Sequence, residues 1–333
     1  MASSISHFKA GWPARATFLL ATAVAAWGLC IFISLKCNPL VRVYAQGMAI
    51  KDQWADKMTR EHGAKALVYG GSSCAFSIDG ERALERYHLP LVNYGNNAGY
   101  GAAILTETVL GRCHPGDTLI VALEPQLLAD PVVMQPEGVQ FCFMMHHPEW
   151  ATHPVLGVAR ENWFEALSAL RPGGYITFTF LTKIATHRPL TRYRLTDYHA
   201  SGWEQTDVRL KIAGPANHDP HLSPTGQELL RNLRAWCDQR KVRVAYSLPW
   251  SYTPPEKERE FKLSNIDFLL QISHFMPVLK DPQLGANTNS DLYADTVWHL
   301  TTPGAQLRTD SLAEAITNWD VWTPEELRAL ENN

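Results

Sequence analysis

The run Ala16–Leu35, ATFLLATAVAAWGLCIFISL, constrains this chain more than any other feature. It holds 20 residues without a charge and is bracketed by Arg15 and Lys36. A helix needs about 20 apolar residues to cross the hydrocarbon of a bilayer. A cleaved signal peptide has an apolar region of only roughly 7–15 residues, so the run predicts an uncleaved anchor. Lys9 and Arg15 precede it with no acid among them, which favours a cytoplasmic N-terminus, although Lys36, Arg42 and Lys51 follow. The expected layout is a cytoplasmic tail over 1–15, a transmembrane anchor over 16–35, a connecting helix over 36–64 and a domain over 65–333. That layout describes a single-pass protein of the inner membrane with its domain in the periplasm.

The remainder has the composition of a globular domain. Across 333 residues, 46% are hydrophobic and 19% charged, enough apolar surface for a sizeable core. A net charge of −3 gives no reason to expect a nucleic-acid partner. Cys74, Cys113, Cys142 and Cys237 are scattered with no CxxC pair, so neither a disulfide nor a metal site is assigned. His146 and His147, with Glu149, lack a third ligand, and adjacent histidines point apart in regular structure. No cofactor is expected.

Strand and helix patterns alternate along the domain. Gln46–His62 has helical spacing of Ile50, Trp54 and Met58. Short strands are predicted over 65–69, 89–93, 118–123, 242–248 and 275–279, and helices over 102–110, 227–239 and 305–319. Thr118-Leu-Ile-Val-Ala-Leu123 is continuously apolar, as a parallel strand covered on both faces must be. Thr323-Pro324-Glu325-Glu326 starts a last helix. The alternation implies an α/β fold, a three-layer α/β/α sandwich around a parallel sheet. Residues about 130–217 break the rhythm with aromatics, prolines and histidines and read as an insertion over one end of the sheet.

Two segments carry chemistry. Gly70-Gly71-Ser72-Ser73 follows the first strand, and ligands in open α/β sheets bind beyond the carboxyl ends of strands. No Lys-Ser or Lys-Thr follows, so a phosphate loop fits poorly. Far along the chain, Asp295-Thr-Val-Trp-His299-Leu-Thr-Thr-Pro-Gly304 places a carboxylate and an imidazole on one loop. A histidine can take a serine proton and an aspartate can orient the ring. Asp219-Pro-His221 has a similar look, but it precedes a helix and a core strand, so His221 reads as a helix-entry residue. The arginines at 188, 192 and 194, with Lys183, read as a solvated loop, or else as a patch for an anionic glycan.

Four blocks, Val68–Asp79, Asn93–Gly99, Asp117–Pro125 and Asp295–Gly304, together resemble the SGNH/GDSL hydrolase superfamily. The similarity is to its membrane-anchored polysaccharide O-acetylation branch, with the alginate and cellulose acetylation proteins and the teichoic-acid D-alanyl transfer protein. The resemblance implies an SGNH-like domain with Ser72 as nucleophile, His299 as base and Asp295 as orienting acid. Counting back from Ile78-Asp79 favours Ser72, and reading Gly71-Ser72-Ser73 as Gly-x-Ser offers Ser73 as the alternative. Two departures stand out. The third block reads Leu123-Glu124-Pro125 where the family has Gly-x-Asn, removing an oxyanion donor. Asn97, with backbone N–H groups at Ser72 and at Gly95 or Gly99, is the expected substitute. The Asp-to-His spacing is four instead of three, which leaves Asp291 as a second candidate for the orienting acid.

The resemblance implies a periplasm-facing serine acyltransferase that O-acetylates an exported polysaccharide, cellulose or alginate-like. Its partners would be that polymer, a multi-span membrane acyl-transfer protein as acyl source, and the polysaccharide synthase complex. A carbohydrate esterase of the same fold, and a catalytically inactive scaffold or glycan-binding subunit, are the alternatives.

Overall fold

The computed structural model describes residues 12–129, 136–152, 155–156, 174–206, 208 and 220–331. The chain begins with helix α1, Trp12–Cys37, long and apolar enough to cross a membrane. It exceeds the apolar run at both ends. Asn38 then breaks the helix, its side chain accepting the Leu40 N–H at 3.2 Å, and Pro39 opens α2, Pro39–His62. Proline suits a first helical position because that N–H has no intrahelical partner. The buried stripe of α2 is Val41, Tyr44, Met48, Lys51, Trp54 and Met58, one face at spacings of three and four. Lys51 therefore lies inside, where Ile50 is only half-buried.

Strands β1 (Ala66–Gly70), β2 (Leu91–Asn93), β3 (Thr118–Ala122), β4 (Arg243–Tyr246), β5 (Ser251–Tyr252), β6 (Val278–Leu279), β7 (Ala286–Asn287) and β8 (Val321–Trp322) follow. Six form one sheet in the order β2-β1-β3-β4-β6-β8. The first five are parallel, and β8 pairs antiparallel with β6 at the edge. β5 and β7 make a separate parallel pair. The fold is thus mixed α/β with a mostly parallel central sheet.

Side-chain alternation sends the strands' residues to two cores. Leu67, Tyr69, Leu119, Val121, Val244 and Tyr246 join α2 and the helices Gly101–Leu110, Pro224–Arg240 and Glu258–Ser273 in one cluster. Val68, Ile120, Ala122 and Ala245 meet Ala83 and the helix Thr302–Asn318 in the other. Burial on both faces is what continuous apolar strands require. The described parts of the 130–217 segment join this body. Phe141 stacks on Tyr100 at 4.5 Å, and Trp203 is buried with its indole N–H on the Phe76 carbonyl at 3.3 Å. Trp163 lies outside the described residues.

Candidate active site

β1 delivers the chain to Gly70-Gly71, and the four-residue helix Ser72–Ala75 starts at once. The turn is fixed by Glu124, 53 residues further along the chain, which follows β3, the neighbour of β1 in the sheet. Its buried carboxylate accepts the Gly71 N–H and the Ser73 N–H, each at 3.0 Å. A Cβ on Gly71 would sit 2.4 Å from a carboxylate oxygen, so any larger residue there must displace the Glu124 carboxylate from its two N–H partners. Between the two engaged N–H groups, that of Ser72 has no partner among the described residues. Ser72 is half-buried, whereas Ser73 is fully buried and its Oγ makes no hydrogen bond. Ser72 is therefore the hydroxyl a substrate can reach. The third block, short of an asparagine donor, supplies an acceptor that shapes the serine turn.

The second block lies against this turn. Gly95 packs so tightly on it that a Cβ would come within 2.2 Å of the Ala75 nitrogen. The Gly95 N–H is spent on Asn93 Oδ1 at 2.8 Å, and the Gly99 N–H on Asn97 Oδ1 at 2.9 Å. Neither glycine N–H is thus turned toward a ligand in this arrangement. Asn97 is half-buried, and its Nδ2 has no partner among the described residues.

The histidine loop precedes the helix Thr302–Asn318. His299 is buried, and its Nδ1 pairs with Asp295 Oδ1 at 2.7 Å. The four-residue spacing is accommodated by a turn in which Thr296 Oγ1 accepts the Trp298 and His299 N–H groups at 3.2 and 3.1 Å. Asp291 is exposed in the preceding turn, so Asp295 is the acid on the ring. Burial pushes the Asp295 carboxyl up, but the hydrogen bond and charge of His299, aided by Arg192, outweigh it and hold the pKa below the usual value. Arg192 Nη1 lies 3.5 Å from Asp295 Oδ2. His299 Nε2 has no partner among the described residues.

Phe76 brings the two ends together. Its N–H bonds the Ser72 carbonyl at 3.0 Å, one helical turn on, and its ring stacks on the His299 imidazole at 4.2 Å. Tyr193 packs on both, 5.5 Å from Phe76 and 6.5 Å from His299. Behind them, Thr309 Oγ1 accepts the Asp79 N–H at 2.8 Å, and Asp310 takes Arg82 in a bidentate pair, both contacts at 2.7 Å. These contacts lock the histidine helix to the segment that follows Ser72. No hydrogen bond joins Ser72 Oγ to His299 among the described residues; such bonds often tighten only with substrate present.

Beside this site lies a second buried glutamate. Both carboxylate oxygens of Glu204 are buried without a hydrogen bond of normal length. Burial raises its pKa to about 7, against the opposing pull of Lys51 and Tyr198. Lys51, buried by α2, donates to the Gly95 carbonyl at 2.5 Å, and burial lowers its pKa. Tyr44, Tyr100, Tyr193 and Tyr198 all feel the Glu204 charge, which adds to burial in raising their hydroxyl pKa values. Sequence reasoning missed Glu124, Phe76, Tyr193 and Glu204. Phe76 had a signal, its position four residues past Ser72 at the start of a helix.

The remaining candidates lie apart from this chemistry. His221 is exposed, just ahead of Ser223, which caps the helix Pro224–Arg240. His147 pairs with Glu149 at 2.6 Å and stacks on Trp150, and no cluster of three or more potential metal ligands occurs among the described residues. Arg188 and Arg194 are exposed. No family model matches the chain, and no curated protein matches it.

Proposed function

We propose that this chain is a membrane-anchored, periplasm-facing serine acyltransferase that O-acetylates an exported polysaccharide. One observation carries the reading: a half-exposed serine on a strand-to-helix turn lies one helical turn before Phe76, whose ring stacks on a histidine paired through Nδ1 to Asp295. In this reading Ser72 Oγ attacks the acyl carbonyl and gives its proton to His299 Nε2. The Ser72 N–H and Asn97 Nδ2 are the donors with capacity for the developing oxyanion. The leaving group departs with the proton from His299, leaving an acyl-serine. A sugar hydroxyl then surrenders its proton to His299 and takes the acyl group, releasing the serine. Asp295 keeps the imidazole in the tautomer that presents Nε2 as acceptor. The choice of transfer over hydrolysis, and of cellulose or alginate-like polymer, rests on the resemblance of the four blocks. The same resemblance supports a multi-span acyl-transfer protein and a polysaccharide synthase as partners.

The test is acylation of the full chain by p-nitrophenyl acetate, with the adduct located by mass spectrometry. Acetyl should appear on Ser72, and Ser72→Ala or His299→Ala should each reduce ester turnover by about 10³-fold or more, without adding when combined. A dead Ser73→Ala with an active Ser72→Ala would move the nucleophile by one residue. Full activity in both serine variants would replace this reading with that of an inactive scaffold.

A further inference from the structure

The helix Gly174–Ala185 is uncharged save for Lys183 and leaves large apolar side chains uncovered. At 100° per residue, Phe178, Leu181 and Ile184 fall within one arc of about 120°. They are 70%, 57% and 49% exposed. Phe180, about 40° beyond Ile184, and Lys183, on the far side, are half-buried, and Lys183 Nζ folds back onto the Leu190 carbonyl at 3.2 Å. In water a surface helix turns its apolar face inward and its charges outward. Here three large apolar side chains stay uncovered, while the one lysine folds back onto the loop that follows the helix.

The place of this helix in the fold says what covers that face. The exit of α1 is marked by Asn38, whose Nδ2 donates to Gln140 Oε1 at 2.7 Å. From the neighbouring Phe141 an unbroken row of rings leads to the candidate site: Tyr100 at 4.5 Å, Tyr44 a further 6.0 Å on, then Tyr193 at 6.2 Å, which flanks His299. Tyr193 lies three residues past Leu190, the residue that Lys183 holds. The loop after this helix and the site therefore lie at the end of the domain where α1 emerges, and Lys183 ties the helix to that loop. Exposed His187, Arg188 and Arg194 follow the helix, and exposed Lys36 and Arg42 flank the end of α1. Cations bordering an apolar helical face suit anionic headgroups.

We propose that Gly174–Ala185 is a second membrane contact, lying along the outer leaflet of the bilayer that α1 spans, so that the candidate site opens at the lipid surface. The inference rests on α1 as a spanning helix and not on the chemistry of Ser72. An interfacial helix buries its apolar face roughly 5–10 Å into the headgroup and acyl boundary. Two attachments fix the tilt of a domain that one flexible tether would leave free. The acyl donor then meets Ser72 from the membrane side, and a polymer acceptor arrives from the aqueous side.

The experiment places a fluorescent non-canonical amino acid at position 181, 20 or 85 of the full chain in nanodiscs of phosphatidylcholine with phosphatidylglycerol. Each is titrated with headgroup-proximal nitroxide lipid and with aqueous iodide. Position 20 in α1 reports lipid, and exposed Glu85 reports water. The expected result is loss of fluorescence to nitroxide lipid at 181 and resistance to iodide relative to 85. Quenching at 181 that matches 85, with 20 still in lipid, overturns the proposal. So does protection of 181 from both quenchers, which would mean that a protein surface covers the face. An aqueous signal at position 20 removes the spanning helix and the proposal with it, leaving the acyl-serine reading untouched.

Discussion

Glu124 and Glu204 are both buried carboxylates within the candidate site, and their surroundings could hardly differ more. Glu124 receives two backbone N–H groups at 3.0 Å and in return defines the serine turn. Glu204 receives no hydrogen bond of normal length, and burial has pushed its pKa to about 7. A buried carboxylate is tolerated when donors replace its water, and it titrates instead when they do not. The first is thus part of the scaffold. The second is a group whose charge changes in the physiological range, next to the candidate site.

Truncating Glu124 should have the largest effect. Glu124→Ala leaves two buried N–H groups unsatisfied and opens a cavity, each N–H costing about 1–3 kcal/mol. Its denaturant midpoint should fall sharply, and Ser72 acylation should fall with it. Glu124→Gln is the sharper variant because the volume is unchanged. An amide oxygen can accept one of the two N–H groups, while its NH₂ meets the other as donor against donor. We expect a drop of about 10-fold in acylation rate, with stability lowered by about 1–3 kcal/mol. A glutamine variant with wild-type rate and stability would erase the contrast between the two glutamates.

Glu204→Gln should act in the opposite sense. A carboxyl raised from its ordinary 4.5 to about 7 binds its proton more tightly folded than unfolded. Folded stability from this group is then greatest below the unfolded pKa and is lost as pH rises through about 7. The glutamine stays neutral, so this decline between about pH 4.5 and 7 should vanish from the stability profile. At pH 8 the variant should equal or exceed wild type in thermal midpoint. An unchanged pH slope would show that Glu204 finds donors the structure does not give it.

How much of this was legible in the sequence follows from the range of each interaction. β1, β3 and the helix Thr302–Asn318 are written in local apolar periodicity, and the Asp295–His299 pair sits within five consecutive residues. The Glu124 bond to Gly71 crosses 53 residues and has no local pattern. Only its oddity was visible, an acid directly after an all-apolar strand, and that oddity read as a missing asparagine. The N–H groups of Gly95 and Gly99, expected as oxyanion donors, are taken up by Asn93 and Asn97 at short range, which a glycine-rich motif alone does not announce. The helix Glu258–Ser273 was passed over because its charged opening hides a buried stripe of Phe261, Ile266, Phe268, Leu269 and Ile272. Arg192 read as one of a solvated cluster, since nothing nearby in sequence announces a partner 103 positions later.

Asp295 falls between the two glutamates and supports the smallest prediction. It has one strong partner, His299 at 2.7 Å, and one weak one, Arg192 at 3.5 Å. The Arg192 side chain is 61% exposed, so water and salt screen its charge, and such pairs contribute roughly 0–1 kcal/mol. The lowered Asp295 pKa arises chiefly from the imidazole among its stabilising partners, with Arg192 contributing least. Arg192→Ala should therefore change the rate of Ser72 acylation by less than about threefold and leave the acid limb of the pH–rate profile nearly in place. Raising ionic strength should mimic the substitution in wild type and do nothing further in the variant. A loss as large as that of Glu124→Gln would mean that Arg192 binds the incoming ligand directly.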